Sequence, residues 1–270
     1  MTDAAGGAGP DAGDGAGGPR PAPTGRSIQP TSQFAGDDGS ADPELTRLLE
    51  AHGTGVVPLS DVVARLAITR VLVPVLAELA VGEDVVTSGG ATLHVDKEAS
   101  SGVVALQAPD GRKALPVFTS VATMAAWRAD ARPVPVEAPR AALSAVNEDW
   151  SLLVVDPAGP VTASVPRPAV WALAQGETWR PALEPTEDGL RVEREVAEAV
   201  AVAAAPVQHV VRAHAEPGRK AEVAVVLALD PGLDRAGLDR VLSQVNARLG
   251  ASDVISRRVD SLEIRIGAAR

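Results

Sequence analysis

Residues 103–127, with the sequence VVALQAPDGRKALPVFTSVATMAAW, carry the clearest local signals of fold in this chain. The apolar segments Val103–Leu106 and Ala114–Phe118 flank a Pro-Asp-Gly sequence, in which Asp and Gly tolerate the positive φ angles that a tight turn demands. Thr119 or Ser120 then provides the N-cap of a helix that runs to the end of the stretch. The stretch therefore predicts a β-hairpin that leads into a helix, with four side chains of that helix facing inward: Val121, Met124, Ala125 and Trp127.

Upstream of the hairpin, the sequence predicts two helices and a strand. Asp42 followed by proline is typical of a helix start, and we expect that helix to end at Gly53. A second helix begins at Ser60-Asp61. The β-branched run Arg70–Leu76 predicts a strand, and because Pro74 lacks an N–H this strand is expected at a sheet edge or a bulge.

Downstream of the hairpin, helices and strands continue to alternate, as they do in a mixed α/β domain. The predicted elements are a helix over Pro139–Val146, a strand over Ser151–Val155, a turn over Asp156–Pro160, a short strand over Val161–Val165 and a helix between Pro168 and Gly176.

The polar segment Glu177–Gly189 carries two prolines and is typical of a linker. Beyond it the pattern is helix, strand, strand, helix, strand, with these elements at Val192–Ala204, Val207–His214, Glu222–Leu229, Leu233–Leu249 and Val259–Ile266. This order predicts a small α+β domain that is ferredoxin-like in outline.

The predicted fold class is therefore α/β, with two domains. Residues 1–41 are rich in Gly, Ala, Pro and Asp and cannot bury enough apolar surface to offset the entropy of ordering, which predicts a disordered tail. Residues 42–180 form the larger α/β domain, residues 181–190 the linker, and residues 191–270 the smaller α+β domain.

Composition and charge exclude several classes of function. The chain has no cysteine, which excludes disulfides, thiol catalysis and thiolate metal sites. A net charge of −10, with no Lys/Arg run longer than two residues, argues against binding nucleic acid or an anionic membrane. Residues 1–18 lack the pattern of a signal peptide, and no segment approaches the roughly 18 to 20 apolar residues of a membrane span. We expect a cytoplasmic protein.

The ionisable residues are too dispersed to predict a catalytic centre, and neither a Gly-x-Ser-x-Gly elbow nor a phosphate-binding loop occurs. His94, Asp96 and Glu98 alternate and would project from one face like metal ligands, but such triads also arise by chance on solvated loops. His209 and His214 lie an odd number of positions apart on one predicted strand and so face opposite sides. We predict no enzymatic activity, no cofactor and no metal.

Motifs that carry a family resemblance are spread over most of the chain. They are Asp96–Glu98, Pro109–Arg112, Leu115–Ser120, Ala131–Pro135, Asp156-Pro157 and Arg167–Ala174 in the first half, and Pro231–Asp234 and Arg258–Leu262 in the second. In this order they resemble the N-terminal and C-terminal domains of the SseB family of bacterial proteins. The family is named for an enhanced serine sensitivity phenotype, and the resemblance implies no catalytic residue.

The four tryptophans divide into predicted core and predicted contact residues. Trp127 and Trp171 each lie on an apolar helix face and are expected in the core. Trp179, in the linker, is the one we expect between the domains or against a partner. The densest cluster of family-like residues adds three more positions to a candidate interaction surface, which comprises Phe118, Thr119, Arg132 and Trp179.

We interpret the chain as a non-enzymatic interaction or regulatory module that contacts a protein partner, self-association included. An open sheet edge, near Pro74 or in the C-terminal sheet, is one contact surface that would serve this role. The alternative hypothesis is a sensor or enzyme that binds an amino-acid-like metabolite between the two domains.

Overall fold

The computed structural model describes residues 34–76, 84–86, 92–96, 104–108 and 110–267. From Asp37 onward the chain forms one compact unit. Most of the predicted tail, including residues 1–33, lies outside the described residues, as does Glu98 of the proposed metal triad. Among the described residues, no helix is both long and apolar enough to span a bilayer.

The first half of the compact unit contains helices and strands of a mixed α/β fold, as predicted. Its elements are α1 (Pro43–Gly53), α2 (Leu59–Leu66), β1 (Arg70–Val75), β2 (Asp84–Val86), β3 (Thr92–Asp96), β4 (Ala105–Gln107), β5 (Lys113–Val117), α3 (Val121–Trp127), β6 (Arg132–Glu137), α4 (Ala138–Asn147), β7 (Leu152–Val155), β8 (Ala163–Val165) and α5 (Arg167–Gln175).

The predicted hairpin is confirmed and lies in a six-stranded sheet of order β2-β3-β4-β5-β7-β8. Strands β4 and β5 are antiparallel, and Gly111 adopts a φ of 85° in the turn between them. Strand β7 pairs with β5 in parallel, so the carboxyl ends of β5 and β7 meet at one edge of the sheet. Ser120, rather than Thr119, caps α3, and its hydroxyl accepts a hydrogen bond from the Thr123 N–H.

Strand β1 does not present the open edge that was predicted near Pro74. It pairs with β6 on one side, where Pro74 lies opposite Pro133. On its other side, Leu72 exchanges two backbone hydrogen bonds with Phe118, of 2.8 and 2.9 Å. Both sides of β1 are therefore covered, because β6 and the residue after β5 each supply backbone partners.

Helix α3 buries Met124 and Trp127 as predicted, but Val121 is 41% exposed and Ala125 is also exposed. Val121 begins the helix, where its side chain packs against Gly39 instead of the sheet. A Cβ on Gly39 would lie 2.6 Å from Val121 Cγ2, and Gly39 also has a φ of 77°. Glycine is needed at this position for both reasons.

The second half contains β9 (Leu183–Thr186), β10 (Gly189–Val192), α6 (Arg194–Ala204), β11 (Val210–Pro217), β12 (Val223–Leu229), α7 (Arg235–Gly250), α8 (Asp253–Arg258) and β13 (Leu262–Gly267). From α6 onward the elements follow the predicted order of helix, strand, strand, helix, strand, with α8 added after α7. Strand β10 pairs with β9, however, so the C-terminal sheet has three strands in the order β11-β12-β13, the last pair parallel.

The segment predicted as a linker, residues 181–190, contains most of the β9–β10 hairpin. Ala182 and Val192 flank the hairpin, are buried, and belong to the same apolar cluster as Val196 of α6 and Val223 of β12. Both faces of the hairpin are largely exposed, which is consistent with its polar sequence. Its composition therefore resembles a linker, although its ends are anchored in the C-terminal core.

Order begins before the predicted start at Asp42. The Asp37 carboxylate accepts hydrogen bonds from the Arg70 guanidinium, and both side chains are about 15% exposed. The Gly39 carbonyl accepts a hydrogen bond of 2.9 Å from the Val121 N–H. Residues 37–40 therefore belong to the compact unit and not to the tail.

Replacing Asp37 with alanine is expected to lower the free energy of unfolding by about 1 to 2 kcal/mol, because a charge-assisted hydrogen bond is lost. The Arg70 guanidinium lowers the pKa of Asp37 below its ordinary 3.8, so the stability that the pair contributes is present above that value. It disappears as the pH falls through the pKa of the folded state. Urea unfolding between about pH 2.5 and pH 7 measures this, and Asp38→Ala, which removes a neighbouring carboxylate without an arginine partner, is the control. Equal effects of the two substitutions would contradict the prediction.

Candidate functional site

The structure disperses the four residues assigned to the candidate interaction surface. Phe118 and Thr119 are 0% and 3% exposed, so their side chains cannot contact a partner while the fold is intact. Phe118 instead packs against Trp127, with ring centroids 5.2 Å apart. Arg132 is exposed on β6, and Trp179 is partly buried in the segment that follows α5. Only Arg132 and Trp179 therefore reach the surface, on different elements.

Thr119 belongs to a buried polar cluster at the carboxyl ends of β5 and β7. Asp156 is buried, with 4% of the residue exposed. Its carboxylate accepts hydrogen bonds from the Thr119 N–H at 2.9 Å and the Thr119 hydroxyl at 2.7 Å. Asp156 has a φ of 48°, in the left-handed region that Asp tolerates better than most residues. Burial raises the pKa of Asp156, while hydrogen bonds from Thr119 and Thr123 oppose that shift. These hydrogen bonds hold the residues after β5 and β7 together at the carboxyl ends of the two strands.

The histidines that the structure describes in full lie apart from one another. His209 precedes β11 rather than lying on it, and its Nδ1 is 3.1 Å from the Asp230 carboxylate. His214 lies on β11 and contacts Glu216 at 2.9 Å. Across the described part of the chain, no three His, Cys, Asp or Glu residues are placed to hold a metal ion. The side chains of His94 and Asp96 on β3 lie outside that description.

An ionic contact joins the two halves of the compact unit. Asp260, which precedes β13, accepts hydrogen bonds from one nitrogen of the Arg112 guanidinium at 2.8 and 3.0 Å. It also accepts from the backbone N–H of Arg167, the first residue of α5, at 3.2 Å. A carboxylate is favoured at a helix N-terminus because unpaired N–H groups and the helix dipole meet there. Asp260 therefore ties the β4–β5 turn and α5 to the C-terminal half.

The neighbouring acid, Glu222, is partly buried behind this contact. Its carboxylate accepts a hydrogen bond from the Asp260 N–H at 2.6 Å. Burial raises the pKa of Glu222, and the Asp260 N–H and the Arg167 charge act in the opposite direction. The junction thus holds two acids and two arginines within one network.

A cavity of about 570 Å³ lies beside this network, between α5, residues 175–180 and α8. We call it the junction cavity. Its volume lies within the range of about 300 to 1,000 Å³ that is typical of ligand pockets. Trp171 on α5 and Trp179 both line it. Trp171 is 46% exposed, which corrects the prediction that it belongs to the core, because the residues on either side of it, Val170 and Ala172, face the protein interior.

The charged side chains of the junction cavity divide into paired and unpaired groups. Arg257 pairs with Glu177, and Arg258 pairs with Glu195 at 2.9 Å. Among the described residues, the side chains of Arg180 and Asp253 have no hydrogen-bond or salt-bridge partner, although both line the cavity.

The Trp179 indole N–H is buried and has no acceptor within the described structure. A buried donor without a partner is unusual and marks a position that an added acceptor would satisfy. Trp179 also lines a second cavity, of about 340 Å³, which lies between the α1–α2 connection and the β9–β10 hairpin. Trp179 thus lines two cavities, and its role at a contact surface stays a prediction.

Sequence reasoning identified Trp179 but missed the rest of the junction cavity. Helix α8 was not predicted, because it has only six residues, too few for a helical periodicity to show. Arg180 and Asp253 gave no signal, since single charged residues in polar segments are usually solvated.

Comparison with known proteins agrees with the resemblance stated above for the first half of the chain. Residues 45–172 match the family model described as the SseB protein N-terminal domain. No curated protein and no solved structure matches the chain. The matched range ends within α5, at the wall of the junction cavity. The likeness of the second half to the family's C-terminal domain stays a prediction.

Proposed function

Residues 45–172 match the SseB protein N-terminal domain, and from this premise we propose that the chain is a non-enzymatic binding module of the cytoplasm. In this proposal the module captures a short segment of a partner protein in the junction cavity. The observation that carries it is one cavity lined by two tryptophans and by an arginine without an internal partner, Arg180.

Tryptophan and arginine are the side chains most enriched at the energetic centres of protein interfaces. Trp171 and Trp179 offer indole surfaces for an apolar side chain of the partner, and the Trp179 N–H offers an unused donor. Arg180 offers a guanidinium to a carboxylate of the same segment, as a charge-assisted hydrogen bond. The expected segment therefore combines an apolar anchor with a nearby carboxylate.

The buried acid of the fold supports a non-enzymatic role. Asp156 is shielded from solvent and already accepts hydrogen bonds from Thr119. The two histidines with full descriptions in the C-terminal half contact Asp230 and Glu216, and neither is among the hydrogen-bond partners of Asp156. A general base needs to reach the proton that it removes, and these groups are engaged elsewhere.

The second candidate function is the binding of an amino-acid-like metabolite in the same cavity. A specific observation favours it, because the unpaired side chains of Arg180 and Asp253 carry opposite charges. An α-amino acid presents a carboxylate and an ammonium group, which these two side chains would complement.

Binding measurements on the full chain distinguish the two functions. We expect a random peptide library to yield ligands with an apolar residue beside an acidic one, and Trp171→Ala and Arg180→Ala to weaken them by about 10-fold or more. Arg194→Ala, which removes an exposed arginine outside the cavity, is the matched control and should leave affinity unchanged.

Thermal shift with a panel of amino acids tests the alternative. A ligand at 100 times its dissociation constant stabilises the folded state by about 2.7 kcal/mol. A shift that Arg180→Ala and Asp253→Ala both abolish would replace the peptide proposal with the metabolite one. If neither peptides nor amino acids bind, the junction cavity is not a binding site and the proposal fails.

A further inference from the structure

Strand β13 is an edge strand. Its backbone groups point alternately toward β12 and away from the sheet. It pairs in parallel with β12, and the Val223 N–H donates to the Ser261 carbonyl at 3.2 Å. In a parallel ladder, alternate residues bond to the same neighbour, so Glu263 and Arg265 direct their backbone groups to β12. Leu262, Ile264 and Ile266 direct theirs away from the sheet, and within residues 110–267 none of these groups has a backbone partner.

Two other described edge strands, β6 and β11, carry features that disfavour strand addition. In the pairing of β1 with β6, Pro133 lies opposite Pro74 and Pro135 lies opposite Leu72. The backbone N–H and C=O of Leu72 bond to Phe118 and therefore point away from β6. Both prolines therefore occupy the outward-facing positions of β6, where they remove the donors that a new strand would need. Strand β11 has an irregular register near its start and ends in proline at 217. Strand β13 has neither feature.

We propose that two copies of this chain associate by antiparallel pairing of their β13 strands, about a two-fold axis between the two Ile264 residues. In this register Leu262 of each copy lies opposite Ile266 of the other, and the two Ile264 residues lie opposite each other. All three of these residue pairs are hydrogen-bonded through the backbone. The outward N–H and C=O groups of all three residues are then satisfied. The interface is isologous and closed, as in most homodimers.

Charge selects this register. With Ile264 on the axis, Glu263 of each copy lies opposite Arg265 of the other, at non-hydrogen-bonded positions where cross-strand side chains are closest. A shift of the axis by one residue toward the start of the strand would place Glu263 opposite Glu263. The same shift in the other direction would place Arg265 opposite Arg265. Because like charges directly opposite are destabilising, only the central register is complementary.

The apolar face of β13 supports the same pairing. Leu262, Ile264 and Ile266 line a groove with Leu242 and Asn246 of α7, and the groove has a volume of about 300 Å³. Ile266 is 54% exposed, which is high for an isoleucine in a sheet. In the proposed dimer, Leu262 and Ile266 of the second copy continue this apolar row and cover part of the groove.

Charge exchange tests the proposal in the full chain. Light scattering after size exclusion should give twice the 27.6 kDa of one chain. Glu263→Arg and Arg265→Glu should each weaken dimerisation by about 10- to 100-fold, because each replaces two attractive pairs with two repulsive ones. An equimolar mixture of the two variants should dimerise again as a heterodimer, and so should the double exchange E263R/R265E.

The mixture separates pairing from folding. Glu263 also accepts hydrogen bonds from the Arg219 and Lys220 N–H groups, so a single variant that merely misfolds would not recover on mixing. Ile266→Lys should disrupt the dimer, whereas Val211→Lys, at a valine 60% exposed on the opposite edge strand, should not. A wild-type chain that remains monomeric at about 1 mM, or single variants that dimerise as wild type does, would overturn the proposal.

Discussion

Replacing Asp156 with alanine is expected to lower the free energy of unfolding by about 3 to 5 kcal/mol, the largest effect among the single substitutions considered. The substitution leaves the Thr119 N–H and hydroxyl buried without an acceptor. It also places alanine at a φ of 48°, where a Cβ without a polar group is disfavoured. Equilibrium unfolding in urea measures the change, and a loss below about 1 kcal/mol would show that the cluster is not structural.

Asp156→Asn is the matched control, because asparagine also tolerates the left-handed region and can accept from the Thr119 N–H. Because asparagine does not ionise, this variant also isolates the effect of Asp156 ionisation on stability. Burial raises the pKa of Asp156 above its ordinary 3.8, so the folded chain retains the proton to a higher pH than the unfolded chain. The stability contributed by Asp156 is therefore complete below the unfolded value and is lost as the pH rises through the folded pKa. Relative to the Asp156→Asn variant, the wild type should lose stability as the pH rises above 3.8. Parallel curves would contradict this assignment.

The second large effect is expected at the contact between the two halves. Asp260→Ala should cost about 2 to 3 kcal/mol, because it removes hydrogen bonds from a guanidinium and from the first N–H of α5. The Asp260 side chain is 12% exposed and that of Arg112 is 37% exposed, so solvent screens this contact only in part. Asp110→Ala is the control, since Asp110 binds the same Arg112 within the turn but is 50% exposed. We expect that substitution to cost less than about 1 kcal/mol.

Asp260→Ala should also reduce the cooperativity of unfolding. Trp127 and Trp150 lie in the first half, whereas Trp171 and Trp179 line the junction with the second half. Tryptophan fluorescence therefore reports the first half and the junction, while circular dichroism reports the whole compact unit. In the wild type the two transitions should coincide. In the variant they should separate, because the halves lose their central ionic contact. Coincident transitions in both proteins would show that apolar packing alone couples the halves.

Much of the fold was predictable because its signals are local. The turn at Gly111, the helix that begins after Asp42 and the helix that ends at Gly176 depend on residues within a few positions of one another. The β9–β10 hairpin was missed for the opposite reason, since its polar strands are recognisable only from the core that anchors their ends. Asp37 was assigned to the tail because its partner, Arg70, is 33 positions away.

The candidate site was less predictable than the fold. Trp179 stood out because a tryptophan in a polar segment has no local reason to be there. Trp171 was assigned to the core, since its neighbours are apolar and the face it occupies depends on how α5 meets the sheet and α8. Arg180 and Asp253 became candidates only once the cavity brought them together.

The resemblance to the SseB family, the α/β class, the hairpin and the absence of cysteine were all readable from the residues alone, because they follow from composition and from short-range patterns. Tertiary packing was needed to show that Asp260 meets Arg112 across 148 positions, that Phe118 is buried, and that β6 is closed by proline while β13 presents free backbone groups. The difference arises because periodicity specifies the faces and ends of each element. Which elements share an edge or a cavity is decided by packing between residues that are distant in the chain.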